Sequence, residues 1–139
     1  MRLVLDTGVV ASGLLWQGSP NQLIEAAFDG TIELATSPAL LVELEGILPR
    51  AKFTRQIAKQ SLPIAGLVLR YAELARLVHP ASIGPTILAD PDDDHVLACA
   101  LAAQADLIVS GDPDLLNLKS YHGIPIVDPA EALKRLAPS

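Results

Sequence analysis

Carboxylates are the residues of this chain best placed to do chemistry. Asp6 ends the apolar run "RLVL", Asp112 follows "LIVSG", and "DPDDD" sets Asp90, Asp92, Asp93 and Asp94 within five positions. Glu43 stands apart in "ALLVELEGIL", where helical spacing puts it on one face with Leu40 and Ile47; an acid on such a stripe implies a partner, whereas Glu45 faces water. Taken singly, an Asp at a strand end serves equally well as a helix cap, and an acidic run as a solvated helix start. Together they repel one another, and a hard divalent cation such as magnesium or manganese, which prefers oxygen ligands, relieves that repulsion. Cys99 is the only cysteine, which excludes a disulfide framework and a thiolate zinc site. On the apolar face with Val96 it reads as inert core. His95 adjoins the acids, but an oxygen-only site does not need it, and it reads as a solvated helix residue.

The net charge of −6 argues at first sight against a nucleic-acid partner. Its distribution does not. Seven of the sixteen acids fall between Asp90 and Asp114, and six of the ten bases between Arg50 and Arg76, where Glu73 is the only acid. The segment "RAKFTRQIAK" (50–59) is by default a solvated helix face. The one-sided charge makes Arg50, Lys52 and Arg55 candidate phosphate contacts.

The elements that must position these residues follow from apolar periodicity. Short β-branched and Leu-rich runs at 2–6, 32–37, 75–80, 106–112 and 124–128 read as strands. Helical stretches lie between them at 20–30, 37–48, 62–75, 90–104 and 129–137. Ser37-Pro38 and Asp128-Pro129 each place a cap before a first-turn Pro, and Gly30 terminates the stretch at 20–30. The uncharged stretch Thr7–Ile24 holds Gly, Pro and polar residues and reads as loop and helix ends, not a membrane span. No signal peptide is visible, so a cytoplasmic protein is the expectation. Strands alternating with helices predict an α/β domain in three layers with a mostly parallel sheet.

Asp6-Thr7-Gly8 is also the tripeptide that carries the catalytic acid of aspartic proteases. That fold is nearly all strand, and the Ala- and Leu-rich helices here do not permit it. In an open parallel sheet, ligands instead bind beyond the carboxyl ends of the strands where the strand order reverses, and Asp6 and Asp112 stand at such ends.

At these residues the chain resembles the PIN-domain ribonucleases, in particular the branch that acts as toxins of toxin–antitoxin pairs. The resemblance rests on "LVLDTGVVASGLL", "GSPNQLIEAAFDG", "LATSPALLVELEGIL", "DPDDDHVLACALAAQADLIVSGDPDLL" and "GIPIVDPAEAL". It covers nearly the whole chain and implies a single PIN-like domain over 1–139. It also implies an α/β/α sandwich whose five-stranded parallel sheet has the order 3-2-1-4-5. The implied activity is RNA hydrolysis dependent on magnesium or manganese. Its catalytic and metal-binding acids would be Asp6, Glu43, Asp93 and Asp112, with Asp114 as an outer ligand. Ser110 matches the Ser/Thr preceding the final acid, and Asp94 is the alternative to Asp93. A cognate antitoxin and a homodimer are implied as partners. The chain departs from the family at Gly8, where an Asn is usual, so an amide that could orient a carboxylate or water is missing. A catalytically silent module of the same fold, and more remotely a phosphatase of the haloacid dehalogenase type, are the alternatives. The second lacks its required Asp two residues after Asp6, where Gly8 stands.

Overall fold

The computed structural model describes residues 1–81 and 93–136. Asp90 and Asp92 lie outside the described residues. Among the described residues six strands form one sheet: β1 (Arg2–Leu5), β2 (Glu33–Thr36), β3 (Arg76–Leu77), β4 (Leu107–Val109), β5 (Ser120–Tyr121) and β6 (Ile124–Val127). Their spatial order is β3-β2-β1-β4-β6-β5. The pairs β3–β2, β2–β1, β1–β4 and β4–β6 are parallel, so the five parallel strands have the expected order 3-2-1-4-5. The addition is β5, antiparallel to β6 at the edge. Its cause is local: His122 and Gly123 both have positive φ (49° and 80°), as a two-residue hairpin turn of this hand requires.

Alternation along the strands divides the core in two. Leu3, Leu5, Leu34, Leu107, Val109 and Val127 face one side, against α1 (Thr7–Leu15), α2 (Ser19–Phe28), α3 (Pro38–Ile47), α5 (Ile64–Leu74) and α8 (Pro129–Leu136). Val4, Ala35, Ile108 and Ile126 face the other, against α6 (Asp93–Ala103) and Leu115 of α7 (Pro113–Leu118). Every central strand is thus covered on both faces, which is why its sequence is a continuous apolar run. Cys99 is fully buried in the second cluster, and burial pushes its thiol up to about 12, so it is chemically inert core as expected.

Two helix starts follow their expected caps. Ser37 Oγ accepts from the Leu40 amide at 3.3 Å, and Asp128 Oδ1 from the Glu131 amide at 2.8 Å. Gly30 follows α2 with φ 78°, a left-handed conformation suited to a helix terminator. The stretch from Thr7 corrects the expectation of loop and helix ends, because Thr7–Leu15 is a continuous helix. Its glycines are weak helix formers, yet Val9, Val10, Ala11 and Leu15 bury against the sheet, and tertiary packing overrides propensity. Gly13 has a further reason to be Gly. A Cβ there would meet the Pro20 carbonyl oxygen at 2.9 Å and Ile24 Cδ1 at 2.6 Å, so α1 and α2 cross at backbone contact. Strand 75–80 is likewise shorter than expected, with only Arg76 and Leu77 paired to β2.

Candidate active site

The carboxyl ends of β1 and β4 lie side by side at the point where the chain turns to build the sheet in the other direction, and each ends in an acid that caps a helix. Asp6 accepts from the Val9 amide at 2.8 Å and starts α1. Asp112 accepts from the Asp114 amide at 2.8 Å and starts α7. Capping fixes both carboxylates at their strand ends; it does not exhaust them, since each has a second oxygen.

Ser110 ties the two together. Its wholly buried hydroxyl donates to Asp6 Oδ2 in a very short hydrogen bond and accepts from the Asp112 amide at 2.9 Å. One small side chain therefore sets the position of both acids, although Asp6 and Ser110 are 104 residues apart in sequence. Asp6 itself is only 8 % exposed. Burial raises its carboxyl above the ordinary range, the bonds from Ser110 and Val9 pull the other way, and the neighbouring Asp112 adds to the rise. A cation beside it would reverse that balance.

Asp93 is buried in the first turn of α6, where the helix dipole favours a negative charge. Oxygen atoms of Asp93, Asp112 and Asp114 lie within 4.8 Å of one another, while Asp114 remains exposed. Glu43 arrives from α3, on the stripe with Leu40 and Leu44, and Glu45 is exposed as expected. His95 corrects its reading as merely solvated: it is exposed, but its Nδ1 lies 3.2 Å from Glu43 Oε1, so a residue of α6 orients the acid of α3.

Asp6, Glu43, Asp93 and Asp112 all line one cleft of about 880 Å³, together with Gly8, Ser12, Trp16, Arg50, Lys52 and Phe53. Asp114 touches the acidic cluster from outside this lining. Asp94 is half-buried on α6 and does not line the cleft. Nor does Arg55, which is exposed on α4 (Thr54–Ala58), so of the three candidate phosphate contacts only Arg50 and Lys52 reach it. Trp16 and Phe53 carried no chemical signal in the sequence. The available hint was that Trp16 is the only tryptophan and directly follows an apolar run.

Gly8 lies in the first turn of α1 with ordinary helical backbone, and a Cβ there would meet Asp6 Oδ1 at 3.6 Å, an ordinary contact. Only its missing side chain distinguishes it. Asp93, Asp112 and Asp114 offer carboxylate oxygens from two helix starts close enough for a cation to bridge, while Asp6 and Glu43 line the same cleft outside that triad. That chemistry fits magnesium or manganese and does not fit a soft metal.

A family model described as PIN domain matches residues 2–114, a span that begins at β1 and takes in every acid of the candidate site. No curated protein matches the chain.

Proposed function

The chain belongs to the PIN-domain family, whose members are generally nucleases, and from that premise we propose that it is a divalent-metal-dependent endoribonuclease, the toxin of a toxin–antitoxin pair. The observation that carries the reading is the convergence of Asp6, Glu43, Asp93 and Asp112, from four separate segments, on a cleft that also holds Arg50 and Lys52. Four acids lining one cleft are costly unless a cation offsets them, and two bases on its wall suit a polyanionic substrate.

Asp93, Asp112 and Asp6 are the residues to hold magnesium or manganese, with Asp114 as an outer ligand; Glu43, oriented by His95, completes the set. A bound divalent ion supplies a polarised phosphoryl oxygen and a water of lowered pKa. The protein's own part is positional. Ser110 fixes the spacing of Asp6 and Asp112. A carboxylate of the set would accept the proton of the attacking water as the water oxygen bonds to phosphorus. The P–O bond to the leaving ribose oxygen breaks, and that oxygen takes a proton from solvent. Arg50 and Lys52 hold the phosphate backbone across the cleft. No residue forms a covalent bond to the substrate. The toxin role requires a small partner protein that covers this cleft, and a homodimer is part of the same proposal.

The test is incubation of structured and unstructured RNAs with manganese, magnesium or EDTA, beside Asp112→Asn as a blank. Cleavage with either metal, absent with EDTA and in the blank, is the expected result. Wild type no faster than the blank overturns the enzyme and leaves a silent binding module. Growth arrest on induced expression, relieved by Asp112→Asn, tests the toxin role. Family membership leaves the phosphatase alternative without support.

A further inference from the structure

The cleft is lined by two unlike sets of residues, and metal binding leaves the aromatic and basic set unexplained. Trp16 follows α1 and lines the cleft with 40 % of its surface open to solvent. Its ring packs on Phe53 at 5.9 Å between centroids and 53° between planes, and Phe53 is itself buried. An indole held by a tilted contact with a buried ring, and still partly open to solvent in the cleft, offers aromatic surface for stacking. Lys52 Nζ lies 5.0 Å from the centroid of the Phe53 ring, which holds that cation at the same wall. Neither Arg50 nor Lys52 forms an ion pair among the described residues, although acids line the same cleft.

From this juxtaposition we infer that Trp16, Phe53, Arg50 and Lys52 form a subsite for one unpaired nucleotide. Its base stacks on Trp16 and its phosphate is held by Arg50 and Lys52. The inference rests on the nuclease reading above and adds to it the residue that selects the substrate. The chemistry is specific on two counts. A π-face for the indole and an anion for two cations that form no ion pair among the described residues are together what a nucleotide offers. A base inside a duplex has both faces occupied by its neighbours, so only an unpaired one can use the platform.

Trp16 is the only tryptophan, so its emission reports the subsite directly. The experiment uses Asp112→Asn, which keeps the substrate intact; Asn retains the Oδ1 that caps α7. With magnesium present, an eight-residue oligoadenylate and a blunt RNA duplex are titrated in, and binding is followed separately by anisotropy of labelled copies. The oligoadenylate should quench the emission and saturate at the concentration at which it binds, and the duplex should not quench. Trp16→Ala in the same background should weaken oligoadenylate binding roughly 5- to 150-fold, and Trp16→Phe should restore most of it. Binding of oligoadenylate with unchanged emission overturns the platform, as does Trp16→Ala binding it as tightly as Trp16. In either case metal-dependent cleavage by wild type keeps the nuclease reading standing. Equal quenching by duplex overturns the selection for unpaired bases. If wild type neither binds nor cleaves RNA, both readings fall together.

Discussion

The floor and the wall of the cleft are built on opposite principles. The floor is acidic, mostly buried, and assembled over long sequence distances: β1 gives Asp6, α6 gives Asp93, and the end of β4 gives Ser110 and Asp112. Its carboxylates are pinned by amide and hydroxyl bonds. The wall is largely local and, apart from buried Phe53, exposed. Arg50, Lys52 and Phe53 lie within four residues, on the 3-10 turn Ala51–Phe53 and its first flanking residue, and only Trp16 comes from elsewhere. A chemical centre needs fixed spacing, and strand ends in a doubly covered sheet supply it. A surface that tracks a flexible polyanion needs charge and a flat ring, which a short turn supplies.

That contrast is broken most severely at the floor. Asp6→Asn or Asp112→Asn should lower RNA cleavage by roughly a hundredfold or more, with manganese titration showing the lost metal site. The fold should survive, and in metal-free protein Asp6→Asn should raise the melting temperature. Its Oδ1 still caps α1 and its amide donates to Ser110 Oγ in a reversed bond, and the loss of a buried charge outweighs the acceptor that the Ser110 hydroxyl gives up. The sign with pH follows from the raised folded-state carboxyl. Its ionisation destabilises the metal-free fold at pH above that raised value, and the penalty fades as pH falls towards the ordinary 3.8. The melting advantage of Asp6→Asn should therefore shrink over the same interval. A constant advantage would mean that Asp6 ionisation is not its source.

Ser110→Ala comes next. It strips a buried donor from Asp6 and an acceptor from the Asp112 amide, so about 1–3 kcal/mol of stability should go, measured by urea unfolding. Cleavage should fall roughly 10- to 100-fold, the usual effect of losing a residue that orients metal ligands. Unchanged activity would show that the strand ends alone set the spacing.

At the wall, effects should be smaller and salt-dependent. Replacing Arg50 and Lys52 with Gln should weaken RNA binding and reduce the salt slope by roughly one unit for each phosphate no longer neutralised. Arg55→Gln, exposed and outside the cleft, is the internal control and should leave the slope unchanged. A slope that responds equally to Arg55 would make the whole basic segment one diffuse patch.

The smallest effect belongs to Gly8, which faces the floor. Gly8→Asn should gain about 0.3 kcal/mol from helix propensity and maintain or raise metal-dependent cleavage, compared with wild type and Asp6→Asn. A gain in cleavage identifies the missing amide as a brake; a fall shows that the open space at position 8 is used.

The sequence by itself determined the layered α/β class, the caps at Ser37 and Asp128, and the buried strands, because apolar runs and cap residues act through local geometry. It also marked Asp6 and Asp112, since an acid that ends a buried strand is conspicuous against its neighbours. Local signals failed in the stretch from Thr7, whose glycines read as breaks. There the crossing of α1 and α2 at Gly13 outweighs helix propensity, and no window along the chain contains that contact. Only the tertiary structure decided that Arg50 and Lys52 reach the cleft while Arg55 does not, because two turns of different pitch separate them. It alone brought Trp16 onto Phe53, Ser110 between two acids 106 positions apart, and His95 onto Glu43. Each of these joins residues from different elements, and their meeting is fixed by the order of parallel strands, a property of the folded sheet and of no single segment.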